Sequence, residues 1–267
     1  MNKSVANQQD YLLPGQIRLY PERKADERKQ NSYAPNHICP VCGGAGRLRI
    51  DVPYGDPSFG KSILCPCAEE RQISLRRQQR RQAANLDAFH NSAFKTFHAN
   101  LPGVQKAFQT SVEFAASPQG WLLLTGPSGC GKTHLATAIA NQRLDSGAVV
   151  FYTTVPDLFD ALRATLISSE KYTQLFTWVR EVELLVLDDL GAHQSSAWSS
   201  EKLLQLFDYR AALTLPTIIT AIFKELQGLD ERLRSRLADS ELVTTVTFEH
   251  ARDYRPRKPI IERKRGI

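Results

Sequence analysis

The sequence predicts an α/β fold in which a parallel five-stranded sheet is flanked by helices, with a small separate domain in front of it. Two observations predict this arrangement. From about residue 101, short apolar runs alternate with segments of helical periodicity. Four cysteines lie in two close pairs between residues 37 and 70, apart from that alternating region. No internal repeat interrupts either part.

Five apolar runs are the strand candidates. They are WLLLT (121–125), VVFYTT (149–154), LLVL (184–187), PTIIT (216–220) and LVTTVTF (242–248). Helical patterns lie between them, near residues 132–144, 156–166, 171–180, 199–213 and 229–237. Parallel strands need long crossover connections, so this alternation predicts helices on both faces of the sheet.

The composition is that of a globular protein, with 42% hydrophobic and 23% charged residues among 267. A membrane span needs about 18 consecutive apolar residues, and the sequence contains no such run. The first residues lack the apolar core of a signal peptide. We therefore expect a cytoplasmic protein that does not bind membranes.

The formal net charge is +6, and the excess is concentrated in two clusters. One cluster comprises Arg71, Arg76, Arg77, Arg80 and Arg81. The other comprises Arg252, Arg255, Arg257, Lys258, Arg263, Lys264 and Arg265. Such clusters suit the phosphate backbone of nucleic acids. A solvated helix face followed by a disordered tail explains the same pattern, and charge alone leaves both interpretations open.

The segment GPSGCGKT, residues 126–133, matches the P-loop pattern G-x-x-x-x-G-K-[ST]. It directly follows the first apolar strand and precedes a helical run, as a P-loop requires. Its backbone N–H groups and the helix dipole are expected to hold phosphate oxygens. Lys132 would bridge the β- and γ-phosphates of ATP, and the Thr133 hydroxyl would bind Mg²⁺. The predicted nucleotide-binding residues are Gly126, Pro127, Ser128, Gly129, Cys130, Gly131, Lys132, Thr133 and His134.

The run LLVLDD places Asp188 and Asp189 side by side after a buried strand. In P-loop ATPases a second strand, adjacent in the sheet, ends in an acid that holds magnesium, and Asp188 is predicted to be that residue. Asp189 is the candidate that orients and polarises the attacking water. Two neighbouring carboxylates repel each other, so the pair is favourable only beside a bound cation.

With the P-loop, the segments LDDLG, EKLLQLFDYR and ARDYRPRK closely resemble the ATPase domain of DnaC-type replicative helicase loaders, which are AAA+ ATPases. The resemblance covers roughly residues 85–258. It implies an AAA+ P-loop fold without the small helical lid, ATP hydrolysis, and self-association through the ATP sites. It also implies binding to a replicative hexameric helicase and to single-stranded DNA. The IstB-type transposition helper ATPases, which deliver target DNA to a transposase, share this core and are the alternative.

The resemblance implies that an arginine near the end of the domain reaches the ATP of a neighbouring subunit. LDERLRSRL offers Arg236 first, then Arg232, with Arg234 between them. A basic amphipathic helix is the alternative. One departure concerns the sensor asparagine that relatives carry after the fourth strand, because Thr220-Ala221-Ile222 stands there. Isoleucine cannot hydrogen-bond, so either Thr220 substitutes for it or hydrolysis is slow.

The cysteines form a Cys39-x-x-Cys42 pair and a Cys65-x-Cys67 pair. Two such pairs predict one tetrahedral Zn²⁺ held by four sulfurs, with a hairpin between the pairs forming a zinc ribbon. His37 could replace one cysteine, and a redox pair or unligated thiols are the alternatives. Similar modules precede the ATPase in some helicase loaders, where the N-terminal region engages the helicase. Contact with nucleic acid remains the other possibility for the module.

These observations predict five regions along the chain. They are an N-terminal arm (1–36) that is flexible or helical, a zinc-binding module (37–70), a basic helix and linker (71–100), the AAA+ ATPase domain (101–250) and a basic C-terminal tail (251–267).

Overall fold

The computed structural model describes residues 11–13, 17–21, 39–192, 196–249, 251 and 253–254. The chain divides into two compact units, Met1–Gln78 and Gln79–Ile267. The residues from 255 onward, which carry most of the predicted basic tail, lie outside the described residues, as do His37 and Arg252.

The first unit contains an antiparallel four-stranded sheet in the order β1-β2-β3-β4. Its strands are β1 (Tyr11–Leu13), β2 (Ile17–Pro21), β3 (Arg47–Asp51) and β4 (Ser62–Leu64), and helix α1 (Pro66–Ala83) follows. The prediction of a flexible or helical arm is wrong for β1 and β2. The stretch IRLYP alternates apolar and polar residues, which is the period of a strand rather than of a helix.

The second unit is built on a parallel five-stranded sheet in the order β6-β7-β8-β5-β9, which confirms the predicted α/β fold. The strands are β5 (Trp121–Thr125), β6 (Val150–Thr154), β7 (Leu184–Leu190), β8 (Thr217–Ala221) and β9 (Val243–Thr247). The helices are α2 (Gln105–Ala116), α3 (Lys132–Asp145), α4 (Val155–Thr165), α5 (Ser169–Glu181), α6 (Ala197–Ala212), α7 (Phe223–Gln227) and α8 (Glu231–Leu237). No further helix follows β9 in the part of the chain that the structure describes.

Each face of this sheet has its own hydrophobic core. One core joins side chains of α2 and α3 to the strands, and the other joins α4, α5, α6 and α8 to them. Every residue of β5 and β8 is buried, which explains why these strands read as continuous apolar runs rather than as alternating patterns. Among the described residues, no helix combines the length and the apolar character that a bilayer span requires.

The strand that carries the two aspartates differs from the prediction in two ways. β7 is not adjacent to β5, because β8 pairs with both and lies between them. β7 also continues past Leu187 to Leu190, with a register shift against β8 over these residues. The P-loop still reaches Asp188 because Thr133 lies on the first turn of α3 and not on β5 itself. Helix α3 crosses this face of the sheet.

A buried arginine fixes the opposite end of the sheet. The Arg210 side chain is fully buried and donates hydrogen bonds to the carbonyls of Arg180, Val182 and Pro216 and to the Thr217 hydroxyl. Burial lowers its pKa to about 9, but four acceptors compensate the guanidinium. Arg210 therefore ties the C-terminal end of α6 to the starts of β7 and β8.

Candidate functional site

The P-loop forms a tight turn between β5 and α3. Gly129 and Gly131 have positive φ angles of 72° and 105°, which side-chain-bearing residues rarely adopt. A Cβ atom at Gly131 would lie 2.7 Å from the Phe97 ring, so the turn also needs glycine for space. No side chain caps the start of α3. The N–H groups of its first turn are therefore available to an anion.

Lys132 is buried and bonds back onto the loop that precedes it. Its Nζ donates to the Gly126 carbonyl at 3.0 Å and to the Pro127 carbonyl at 2.9 Å. The ammonium group thus lies at the centre of the turn, where phosphate oxygens could replace these carbonyls as its partners.

The Asp188 carboxylate is only 2% exposed and accepts hydrogen bonds from three hydroxyl groups. Thr133 Oγ1 lies 3.0 Å from both carboxylate oxygens, Thr220 Oγ1 lies 2.5 Å from Oδ1, and Tyr152 Oη lies 2.7 Å from Oδ2. Burial, with a contribution from Asp188, raises the pKa of Tyr152. The phenol therefore stays protonated and remains a donor to the carboxylate.

Asp189 differs from Asp188 in exposure and in backbone conformation. Its φ angle is 55°, an uncommon left-handed conformation for a residue other than glycine, and its side chain is exposed. Its backbone N–H donates to Thr220 Oγ1 at 3.0 Å, so the same hydroxyl bridges both aspartates. Asp189 lines a cavity of about 330 Å³. The other lining residues are Ser128, Gly129, Gly131, Lys132, Thr133, His134, Ala192, Ile222 and Glu225.

A second cavity of about 310 Å³ adjoins the other side of the P-loop. Its walls are Thr96, Phe97, His98, Leu101, Val104, Gly129, Cys130, Gly131, His134 and Tyr254. Cys130 itself is buried in the core beneath the loop. The cavity is mostly apolar and offers aromatic rings, which suits a flat heterocycle joined to a phosphate group in the loop.

Residues 89–96, which end at the cavity-lining Thr96, are hydrogen-bonded to helix α3. His134 Nε2 lies 3.1 Å from the Ala93 carbonyl and 3.2 Å from Thr96 Oγ1. Asn141 Nδ2 donates to the Phe89 and Ser92 carbonyls at 2.8 and 2.9 Å. Motif matching placed His134 in the nucleotide site, but neither its partners nor the role of Asn141 could be predicted from the motif.

The predicted trans-acting arginines lie on helix α8. Arg236 Nη2 forms a 2.6 Å ion pair with Asp208, and Arg232 Nε lies 3.2 Å from Asp230. Together with Arg232, Arg236 lines a separate cavity of about 810 Å³ between α6 and α8. The two cavities beside the P-loop have no α8 arginine among their described lining residues.

In the first unit the four predicted zinc ligands lie together. All four sulfur atoms are within 4.8 Å of one another. The Cys39–Cys65 and Cys42–Cys67 sulfur distances are 3.8 and 3.5 Å. Four sulfurs around Zn²⁺ at its usual bond length stand about 3.8 Å apart, so this donor set fits tetrahedral zinc.

The thiols differ in acidity in a way that also suits a metal. A hydrogen bond from the backbone of Cys42 is the main cause of the lowered pKa of Cys39, which is about 7. Burial raises the pKa of Cys65 and of Cys67. One thiolate therefore forms readily near neutral pH, while Cys65 and Cys67 would lose their protons only on binding a cation.

We expect the exchange Cys42→Ala to remove bound zinc. Three sulfurs do not complete a tetrahedral structural site, so zinc content should fall from about one per chain to about a tenth or less. Proteolysis within residues 39–64 should increase. Metal analysis of freshly purified protein measures the first effect. Cys130→Ala is the matched control, since it removes the fifth cysteine, and equal zinc loss in both variants would contradict the site.

In sequence comparison, residues 68–244 of this chain match the family described as IstB-like ATP binding protein. The replicative helicase loader DnaC of Escherichia coli K12 is 27% identical over 161 residues, which are 58% of this chain and 66% of DnaC. This chain therefore matches just under two thirds of the length of that relative.

Solved structures share the fold of the second unit. The crystal structure of the DnaC helicase loader gives a TM-score of 0.55 at 24% identity and covers 60% of this chain and 98% of that chain. The crystal structure of DnaI gives a TM-score of 0.52 at 26% identity and covers 58% of this chain and 90% of that chain.

Proposed function

This chain belongs to the family of IstB-like ATP binding proteins, and on that premise we propose that it is an ATPase that loads a replicative helicase onto single-stranded DNA. The nucleotide would bind across the P-loop. The triphosphate would lie in the 330 Å³ cavity, and the base would lie in the 310 Å³ cavity. Gly129, Gly131 and His134 line both cavities, so one ligand can occupy the two together.

The residues around Asp188 fit Mg²⁺, which prefers oxygen ligands and keeps several waters. The Thr133 hydroxyl, which bonds Asp188, and the Asp188 carboxylate would hold the ion. The single observation that carries ATP binding is this 3.0 Å contact between Thr133 and Asp188, which joins the two motifs 55 residues apart. Bound magnesium would supply charge neutralisation for the β- and γ-phosphates.

The remaining residues would act on the phosphates and on water. Lys132 would transfer its two hydrogen bonds from loop carbonyls to phosphate oxygens. The exposed carboxylate of Asp189 would orient the attacking water and accept its proton. Ile222 lines the same cavity and cannot hydrogen-bond, so we propose that turnover is slow. The Thr220 hydroxyl is engaged with Asp188 and the Asp189 backbone, which supports slow turnover over a substitution of Thr220 for the missing asparagine.

Arg236 would act on the nucleotide of a neighbouring subunit. It lines a cavity other than the two beside its own P-loop, and its side chain is 38% exposed, so a second copy could present its nucleotide to it. ATP sites completed in this way would make self-association depend on nucleotide.

The loader role rests on the likeness to DnaC. We propose that the first unit, with its cysteine cluster, engages the helicase. The exposed helix α1 carries the arginine cluster and has no buried residue, so it would hold the DNA backbone. The transposition helper remains the second candidate because the matching family description names IstB.

Capture of the helicase tests the loader role. The full chain should retain the replicative helicase of its host in a pull-down with ATP. The complex should bind single-stranded DNA in preference to duplex DNA. Cys42→Ala should weaken capture if the first unit makes the contact. Failure to retain the helicase, combined with preference for duplex DNA, would exclude the loader and support the transposition helper.

A further inference from the structure

One of the three hydroxyl groups around Asp188 comes from a residue that has no part in the proposed function. Tyr152 lies on β6, and its Oη donates to Asp188 Oδ2 at 2.7 Å. Tyr152, Asp188 and Thr220 come from three neighbouring strands, and Tyr152 packs in the core on the α3 face of the sheet.

The division of the bonds between the two carboxylate oxygens is informative. Thr133 contacts both oxygens, but Thr220 bonds only Oδ1 and Tyr152 bonds only Oδ2. If Thr133 turns away to bind a metal ion, each oxygen keeps one donor. Two donors on different oxygens fix the plane of the carboxylate, whereas one donor would let it rotate.

Packing alone does not require tyrosine at this position. The residue is 4% exposed, and its ring centroid lies 4.7 Å from that of Phe89 at an interplanar angle of 56°, within an apolar cluster where phenylalanine would pack as well. A buried hydroxyl without a partner is destabilising. The hydroxyl is therefore favourable only because it bonds the carboxylate.

We propose that Tyr152 is a positioning residue that orients the Asp188 carboxylate for the metal ion of the nucleotide site. The proposal rests on the proposed binding of ATP and Mg²⁺. Tyr152 is itself held in place by the linker segment, because its N–H donates to the Ala84 carbonyl and its carbonyl accepts from Asn85 Nδ2. The orientation of the carboxylate thus depends on contacts made by residues 84–89.

The test compares Tyr152→Phe with the wild-type chain in two titrations. In the first, a fluorescent ATP analogue is titrated in EDTA. In the second, Mn²⁺ binding to the complex with a non-hydrolysable ATP analogue is followed by electron paramagnetic resonance. We expect unchanged nucleotide affinity without metal and Mn²⁺ affinity reduced about tenfold or more, as for other residues that orient metal ligands. Tyr209→Phe is the matched control, because Tyr209 also donates to a carboxylate, that of Glu181, at 3.2 Å.

Two outcomes would overturn the proposal. One is Mn²⁺ affinity within twofold of the wild type in Tyr152→Phe. The other is a loss of nucleotide affinity in EDTA as large as the loss of Mn²⁺ affinity, which would mean that the hydroxyl supports the whole P-loop. If the wild-type chain binds no nucleotide, the proposed function fails instead, and the two failures are distinct.

A second measurement keeps the phenol hydroxyl at position 152. In protein labelled with 3-fluorotyrosine, adding Mg²⁺ to the nucleotide complex should shift a fluorine resonance that Asp188→Asn also shifts. The absence of any such shift would overturn the proposal even if Tyr152→Phe did not fold.

Discussion

Replacing Lys132 with alanine should abolish nucleotide binding at micromolar concentrations. The ammonium group now donates two hydrogen bonds within the turn, and each bond that it would make to a phosphate is charge-assisted. Two such bonds contribute about 3–6 kcal/mol, which corresponds to a loss of affinity of at least about 100-fold. Titration with a fluorescent ATP analogue measures the dissociation constant.

Lys171→Ala is the control for the lysine exchange, since Lys171 is exposed on α5 and its removal changes the net charge equally. The two variants should have the same thermal stability to within a few degrees. Equal nucleotide affinity in Lys132→Ala and the wild type would refute the assignment of the P-loop.

The second large effect concerns Arg236. Its replacement by alanine should lower ATP hydrolysis about 10³-fold, because a guanidinium that reaches the transferred phosphate from a neighbouring subunit supplies acceleration of at least that size. Nucleotide affinity of the dilute chain should not change. The fold should also survive, because the ion pair with Asp208 is partly exposed and pairs at the surface contribute little.

Mixing two inactive variants shows whether Arg236 acts in trans. Lys132→Ala retains the arginine but lacks nucleotide, whereas Arg236→Ala binds nucleotide but lacks the arginine. A mixture should recover a substantial part of the wild-type activity at concentrations that allow assembly. No recovery, or full activity in Arg236→Ala alone, would exclude the trans role, and Arg163→Ala on α4 serves as the control for loss of an exposed arginine.

The sheet was predictable because its central strands, β5, β7 and β8, are buried on both faces. β5 matches the predicted run WLLLT, and the other four strands lie within a few residues of their predicted ends. Helix α2 was missed because its buried face consists mainly of the small residues Ala107, Ser111 and Ala115, which give a weak apolar period. The arm was misjudged because the alternating stretch IRLYP lies among polar and charged residues of poor periodicity.

The contacts of the site were less predictable than its motifs. The P-loop pattern identifies Thr133, and the doubled acid identifies Asp188, but their contact depends on where α3 crosses the sheet. The Tyr152 bond spans 36 residues and depends on the register between β6 and β7. The left-handed backbone at Asp189 arises at the register shift against β8, for which the sequence carries no glycine or other local signal. The roles assigned to these residues stay predictions.

Arg210 anchors the C-terminal end of α6 to the sheet, while the 16-residue helix begins roughly 24 Å away. Asp208 lies two residues before Arg210 and forms the ion pair with Arg236. Because that ion pair is made next to the anchored end of the helix, we expect Arg236 to keep its position relative to its own sheet.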